Sequence, residues 1–223
     1  MKLRAGVPII SILTVGLVGL SCAEIASPSR SEAYEWRLIT AVGPGTSDTL
    51  SFHWPRSRLP VKVWVEDSLN LPGHVEHGLQ IWKAAFLYGE FDAVVVADSN
   101  VADVVVQVGS PIKVGFSTRF ARLSAPECEG GTGFDLPAGS SEIQAPVRVF
   151  LNPRFDPASP GVDECLGLTM THELGHAIGI FAHSPDAGDI MYSDPVVSVL
   201  SVRDRATAER AYHLSPNLTV SAR

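Results

Sequence analysis

The run Thr171-His172-Glu173-Leu174-Gly175-His176-Ala177-Ile178-Gly179-Ile180-Phe181-Ala182-His183-Ser184 places three histidines and one glutamate at spacings that can do chemistry. Residues four apart share one face of a helix, so His172 and His176 can converge on a single metal ion. Two neutral imidazoles on adjacent turns suit zinc, which takes histidine nitrogen at roughly 2.0–2.1 Å. Glu173 follows the first candidate ligand directly and points slightly off the ligand face. A carboxylate there can hold a metal-bound water without ligating the metal, which is the arrangement of metal-assisted hydrolysis.

A tetrahedral catalytic zinc takes three protein ligands and keeps one position open. His183 is the candidate third ligand, seven residues past His176. On a continuous helix it would lie about 10 Å too far along the axis, at roughly 1.5 Å of rise per residue. The helix must therefore stop, and Gly179 is placed to stop it by taking a left-handed conformation at the C-cap. The chain can then swing back and offer His183 to the same metal. Met191-Tyr192 follows after the turn-prone run Ser184-Pro185-Asp186-Ala187-Gly188-Asp189.

These residues resemble the metzincin metalloproteases, whose signature is His-Glu-x-x-His-x-x-Gly-x-x-His followed by a Met-turn. His172, Glu173, His176 and Gly179 match that signature position by position, and Met191 matches the Met-turn. Ser184, after the last histidine, resembles the matrixin branch. One departure stands out: Ile180, Phe181 and Ala182 separate Gly179 from His183, where the signature has two residues. The spacing from His183 to Met191 is similar to that of matrixins, so the extra residue falls in the turn after Gly179.

The resemblance implies an α/β (α+β) catalytic domain with a twisted, mostly parallel five-stranded sheet, an antiparallel edge strand, three helices and the Met-turn. It implies one catalytic zinc on His172, His176 and His183, with Glu173 taking a proton from a zinc-bound water and passing it to the leaving amine. Protein or peptide substrates would lie extended along the edge strand. Matrixins carry a Pro-x-Tyr segment after the Met-turn, whereas Ser193-Asp194-Pro195 stands here, so the family's specificity does not carry over. Calcium is compatible with the acidic loops, but no ligand pattern defines a site. Two other readings remain open. Glu209 is a third ligand in the manner of gluzincin-type sites, or the fold is a catalytically silent, zinc-containing envelope binding or structural protein.

The elements that must position these groups follow from patterning. The chain has 223 residues, 45% of them hydrophobic, enough for one sizeable core and too few for two comfortable domains. Residues 58–66 alternate and read as a strand, and 72–88 carry Val75, Leu79, Trp82, Ala85 and Phe86 at helical spacing. His74 and His77 fall on that helix and read as solvated. Two apolar runs, 91–97 and 102–108, read as buried parallel strands. The more polar stretch 115–123 reads as the exposed edge strand, 128–141 as a glycine-rich loop, 145–151 as a strand, and 152–164 as a connection into the site helix. Ser201-Val202-Arg203-Asp204 resembles a capping box that opens a last helix, with Val202, Ala206, Glu209 and Tyr212 along one side.

The N-terminus reads as an export signal over 1–21: Lys2 and Arg4 precede an apolar run that is short for a spanning helix. Val18-Gly19-Leu20-Ser21-Cys22 resembles a bacterial lipoprotein box with Cys22 as the lipidated residue, and cleavage after Ala23 is the alternative. Location is therefore the cell envelope or the exterior, with a membrane contact only through that lipid. Residues 22–57 read as a tether, 58–215 as the catalytic domain and 216–223 as a tail. If Cys22 is acylated, Cys128 and Cys165 remain to form a disulfide, worth roughly 4 kcal/mol on the chain-entropy model. A formal charge of −7 and the lack of any basic cluster argue against nucleic acid as a partner, and a monomer is expected.

Overall fold

The computed structural model describes residues 32–43, 46–109 and 128–221. The export signal, Cys22 and the strand expected over 115–123 lie outside them. Strands β1 (Leu38–Gly43) and β2 (Thr46–Leu50) pair antiparallel ahead of the main sheet. In β3 (Val61–Val65), Val61, Val63 and Val65 alternate with Lys62 and Trp64 and turn inward, the two-residue period of a pleated strand. Helix α1 (Leu71–Lys83) buries Val75, Leu79 and Trp82, and the Trp82 indole donates to the Thr171 carbonyl at 2.7 Å. Strands β4 (Ala93–Val96) and β5 (Val104–Val108) both run parallel to β3.

Strands β6 (Cys128–Asp135) and β7 (Glu142–Pro153) pair antiparallel, and β7 continues the sheet parallel to β5. Helices α2 (Val162–Ala177) and α3 (Val202–His213) follow, and β8 (Thr219–Val220) pairs with the start of β7. The six-stranded sheet has the order β4-β3-β5-β7-β6, with β8 beside β7. The described chain is thus a mixed α/β fold with a mostly parallel sheet and three α-helices. No helix among the described residues is long and apolar enough to cross a membrane.

Four expectations change. The stretch 128–141, read as a loop, contains β6, and β6 is the antiparallel edge strand of the described sheet. Its glycines disguised it, yet the fold requires one of them. A Cβ at Gly130 would sit 2.4 Å from Thr169 Cγ2 and 2.7 Å from Glu173 Oε1, so only bare backbone can lie this close to α2. The supposed tether carries the β1–β2 hairpin and buries Tyr34, Trp36, Phe52 and Trp54. These aromatics bury too much apolar surface to stay in water. The supposed tail supplies β8, and Asn217 ties it to the Thr49 carbonyl at 2.7 Å.

On α3 the buried face holds Asp204, Thr207, Ala208 and Ala211, while Val202 is 69% exposed. Of the side that hydrophobic spacing pointed to, Tyr212 does pack on the core, against Phe86 and Phe91, while Val202 faces solvent. The fully buried face carries polar groups with partners inside the fold.

From Thr169 to Ala177 every residue of α2 is buried. That segment holds both histidines and the glutamate of the motif, so their polar groups must find partners inside the protein. A disulfide joins Cys128 to Cys165 with Cα atoms 6.1 Å apart, fastening the start of β6 to the first turns of α2.

Candidate metal centre

Helix α2 ends at Ala177, Ile178 keeps near-helical angles, and Gly179 takes φ 112°. The amides of Gly179 and Ile180 then donate back to the carbonyls of His176 and Gly175, at 2.9 and 3.0 Å. A Cβ at Gly179 would fall 2.1 Å from the Phe52 carbonyl oxygen, so backbone angle and space both demand glycine. The Trp54 indole satisfies the Ala177 carbonyl at 3.0 Å. Beyond the reversal, the amides of Phe181 and Ala182 both donate to the Trp36 carbonyl, at 2.7 and 2.9 Å. This clamp seats the turn that contains the additional residue, and His183 comes back over the helix.

The structure brings His172, His176 and His183 together. One ligand atom from each lies within 4.8 Å of the others. The Nε2 atoms of His172 and His176 are 3.0 Å apart, and those of His176 and His183 are 3.3 Å apart. The opposite ring nitrogens decide what these short distances mean. His172 Nδ1 lies 2.8 Å from the Ile190 carbonyl, and His176 Nδ1 lies 2.6 Å from the Ile180 carbonyl. A carbonyl only accepts, so each Nδ1 carries the hydrogen and each Nε2 presents a lone pair. Two lone pairs facing at 3.0 Å repel unless a cation lies between them. A tetrahedral ion with bonds of roughly 2.0–2.1 Å sets ligand nitrogens about 3.3 Å apart, close to the spacing seen.

Burial also holds the rings in their ligating form. It pushes the His172 pKa well down, helped by His176 and His183, and it lowers His183 as well. Burial and the neighbouring His183 bring His176 down to about 3. All three imidazoles are therefore neutral donors near pH 7, with no proton to displace.

Glu173 is fully buried beside them. Its Oε2 accepts from the Thr132 hydroxyl at 2.6 Å, while Oε1 has no hydrogen-bond partner among the described residues. Burial raises this carboxyl to about 8, against the lowering effect of the Thr132 hydrogen bond. A cation on the adjacent histidines would draw it back down. The arrangement is a buried carboxyl beside three histidines that could hold a metal ion, with one oxygen held and the other without a partner among the described residues.

Met191 is fully buried with its sulfur against α2 at Gly175, and its carbonyl accepts from the Ser184 amide at 2.7 Å. Two buried aspartates hold this loop. Asp189 accepts from the Ser184 hydroxyl and from Arg203 Nε, the latter at 3.1 Å. Asp204 accepts from the amides of Ile190 and Ser201 at 2.9 and 3.1 Å, and from the Tyr34 hydroxyl at 2.9 Å. Ile190 is thereby set to present its carbonyl to His172.

Glu209 belongs to no ligand cluster among the described residues. His74 is engaged elsewhere, 2.9 Å from the Asp163 carboxylate. No cluster beyond the three histidines marks a calcium site among the described residues.

The chain matches no family model and no curated protein. The site thus rests on its own geometry.

Sequence reasoning missed Thr132, Trp36, Asp189 and the second task of Asp204. Trp36 acts through a backbone carbonyl, which leaves no trace in residue type. Asp204 was visible as the last residue of a capping box, and that box is formed, with the Asp204 amide donating to Ser201 Oγ at 2.9 Å. The same carboxylate also serves Ile190, a contact only the fold creates.

Proposed function

We propose that this chain is an exported zinc endopeptidase of the metzincin, matrixin-like type, lipid-anchored if Cys22 is acylated. The observation that carries the reading is the convergence of three neutral imidazole nitrogens beside a buried glutamate with one unpartnered oxygen. An all-imidazole donor set with tetrahedral spacing fits zinc. His172, His176 and His183 would hold it. Zinc, when bound, supplies a Lewis acid that acidifies water and polarises a carbonyl.

The remaining steps belong to the protein's own residues. Glu173 Oε1 is the site that accepts the proton from the attacking water. Once protonated, it returns that proton to the amine released when the peptide bond breaks. The buried setting excludes bulk water from the base and keeps its proton for that transfer. The stretch 115–123, expected from the sequence to line the substrate, lies outside the described residues. Strand β6, antiparallel at the edge of the described sheet and packed on α2 beside Glu173, would line the substrate. An extended peptide would pair with its backbone by strand addition. Ser193-Asp194-Pro195 follows the Met191 loop in place of the matrixin Pro-x-Tyr segment, so the cleavage preference of that family is not carried over.

The test is cleavage of a proteome-derived peptide library by the zinc-loaded protein beside its Glu173→Ala twin. Cuts made only by the parent, and stopped by a chelator, support the protease. Equal behaviour of the two proteins, with zinc in both, would sink it in favour of a silent zinc-containing binding protein.

A further inference from the structure

Thr132 stands among glycines on β6, between Gly131 and Gly133, and is 3% exposed. Its hydroxyl has one hydrogen and two acceptors within reach, Glu173 Oε2 at 2.6 Å and the Glu173 backbone carbonyl at 3.0 Å. A charged carboxylate is the stronger acceptor, so the hydrogen goes to Oε2. Glu173 Oε1 is left buried and without a partner among the described residues. The terminal torsion of a glutamate is broad and roughly two-fold, so an unheld carboxylate would exchange its two oxygens.

We propose that Thr132 is a positioning residue that pins one oxygen of Glu173 and thereby selects Oε1 as the reacting oxygen. This role rests on the hydrolytic reading of the site. The hydroxyl is placed well because β6 is placed well. Thr132 pairs with Val149 of β7, the close approach at Gly130 sets the strand on α2, and the Cys128–Cys165 disulfide fastens its beginning. At the start of the strand, the disulfide sulfur of Cys128 accepts from the Thr169 hydroxyl at 3.2 Å.

The experiment compares zinc-loaded wild type, Thr132→Val and Thr132→Ser. Valine keeps the shape and removes the hydroxyl, while serine keeps the hydroxyl. Loss of a hydrogen bond to a charged group predicts a fall in kcat of about 10- to 100-fold in Thr132→Val. KM stays within about twofold, because peptide binding does not use that hydroxyl. Serine restores kcat, and zinc content is equal in all three. A wild-type kcat in Thr132→Val, or equal losses in valine and serine variants, overturns the assignment. Should Thr132→Val unfold or lose zinc, Thr132→Ala carries the same prediction.

A second arm needs no turnover. Crystal structures of the zinc-loaded proteins should show the Glu173 carboxylate in one orientation in wild type and Thr132→Ser, and rotated or split in Thr132→Val. An unmoved carboxylate in Thr132→Val overturns the role. If wild type binds zinc but cleaves no peptide, the hydrolytic reading fails, and this structural arm still decides whether Thr132 orients Glu173.

Discussion

At His172 and His176 the informative atoms are the ones turned away from the metal position. Each Nδ1 faces a backbone carbonyl, which fixes the tautomer and aims the lone pair of Nε2 inward. A surface histidine has no such constraint. His183→Ala should weaken zinc by more than the roughly 10–100-fold that loss of an outer hydrogen-bond partner costs. Glu173→Ala should keep zinc, since Glu173 lies outside the ligand trio. His74→Ala should also leave affinity unchanged, because its ring is paired with Asp163. Competition against a chelating dye reads all three. Normal zinc binding by His183→Ala would remove that residue from the site.

Elements, rather than residues, decide how His183 returns to the other two histidines. Helix α2 stops at Gly179, the turn after it hangs from the Trp36 carbonyl, and the loop to Met191 is held by α3 through Asp189 and Asp204. Asp204 links three segments by accepting from Tyr34, Ile190 and Ser201. Asp204→Ala leaves those donors unsatisfied in the interior. It should cost about 3 kcal/mol or more, at the usual 1–3 kcal/mol for each orphaned buried group. Thermal unfolding measures the loss, and zinc affinity should fall with it because the Ile190 carbonyl loses its support. A variant as stable as wild type would show that α3 does not hold the loop. The unexpected burial of Tyr34 and Trp36 has its explanation here: the chain ahead of β1 is part of the clamp on the site.

For the whole molecule, the buried ionisable cluster makes the metal-free protein sensitive to pH with a sign that can be worked out. His172 and His176 titrate below the usual 6.5, so the unfolded chain takes up protons first as pH falls through that value. Stability is therefore lost below pH 6.5, at about 1.4 kcal/mol per pH unit for each group. Glu173 is raised from 4.5 to about 8, so its contribution is present below 4.5 and is lost as pH rises toward 8. Between those values the lowered histidines outweigh one glutamate. Metal-free protein should be most stable near pH 6.5 and weaken on both sides. Zinc favours neutral histidine and ionised glutamate, and should abolish the alkaline decline and raise the melting temperature throughout. Denaturation at a series of pH values, with and without zinc, tests this. A metal-free protein whose stability is flat from pH 5 to 8 would contradict it.

The sequence by itself determined what local spacing can determine. The i and i+4 histidines with the intervening glutamate, the helix stop at Gly179, the alternation of β3 and the capping box at Ser201 depend on neighbours within a turn or two, and all are legible in residue order. Tertiary structure decided the rest. The stretch 128–135 became strand β6 rather than loop because Gly130 answers to the surface of α2, not to any strand propensity. The reach of His183 depends on a carbonyl at Trp36, far away in the chain, and the free oxygen of Glu173 depends on a hydroxyl at Thr132. Such contacts join segments that become neighbours only when the core closes. Backbone acceptors and lone polar side chains leave no periodic signal in the sequence, so their roles become readable only once the chain has packed.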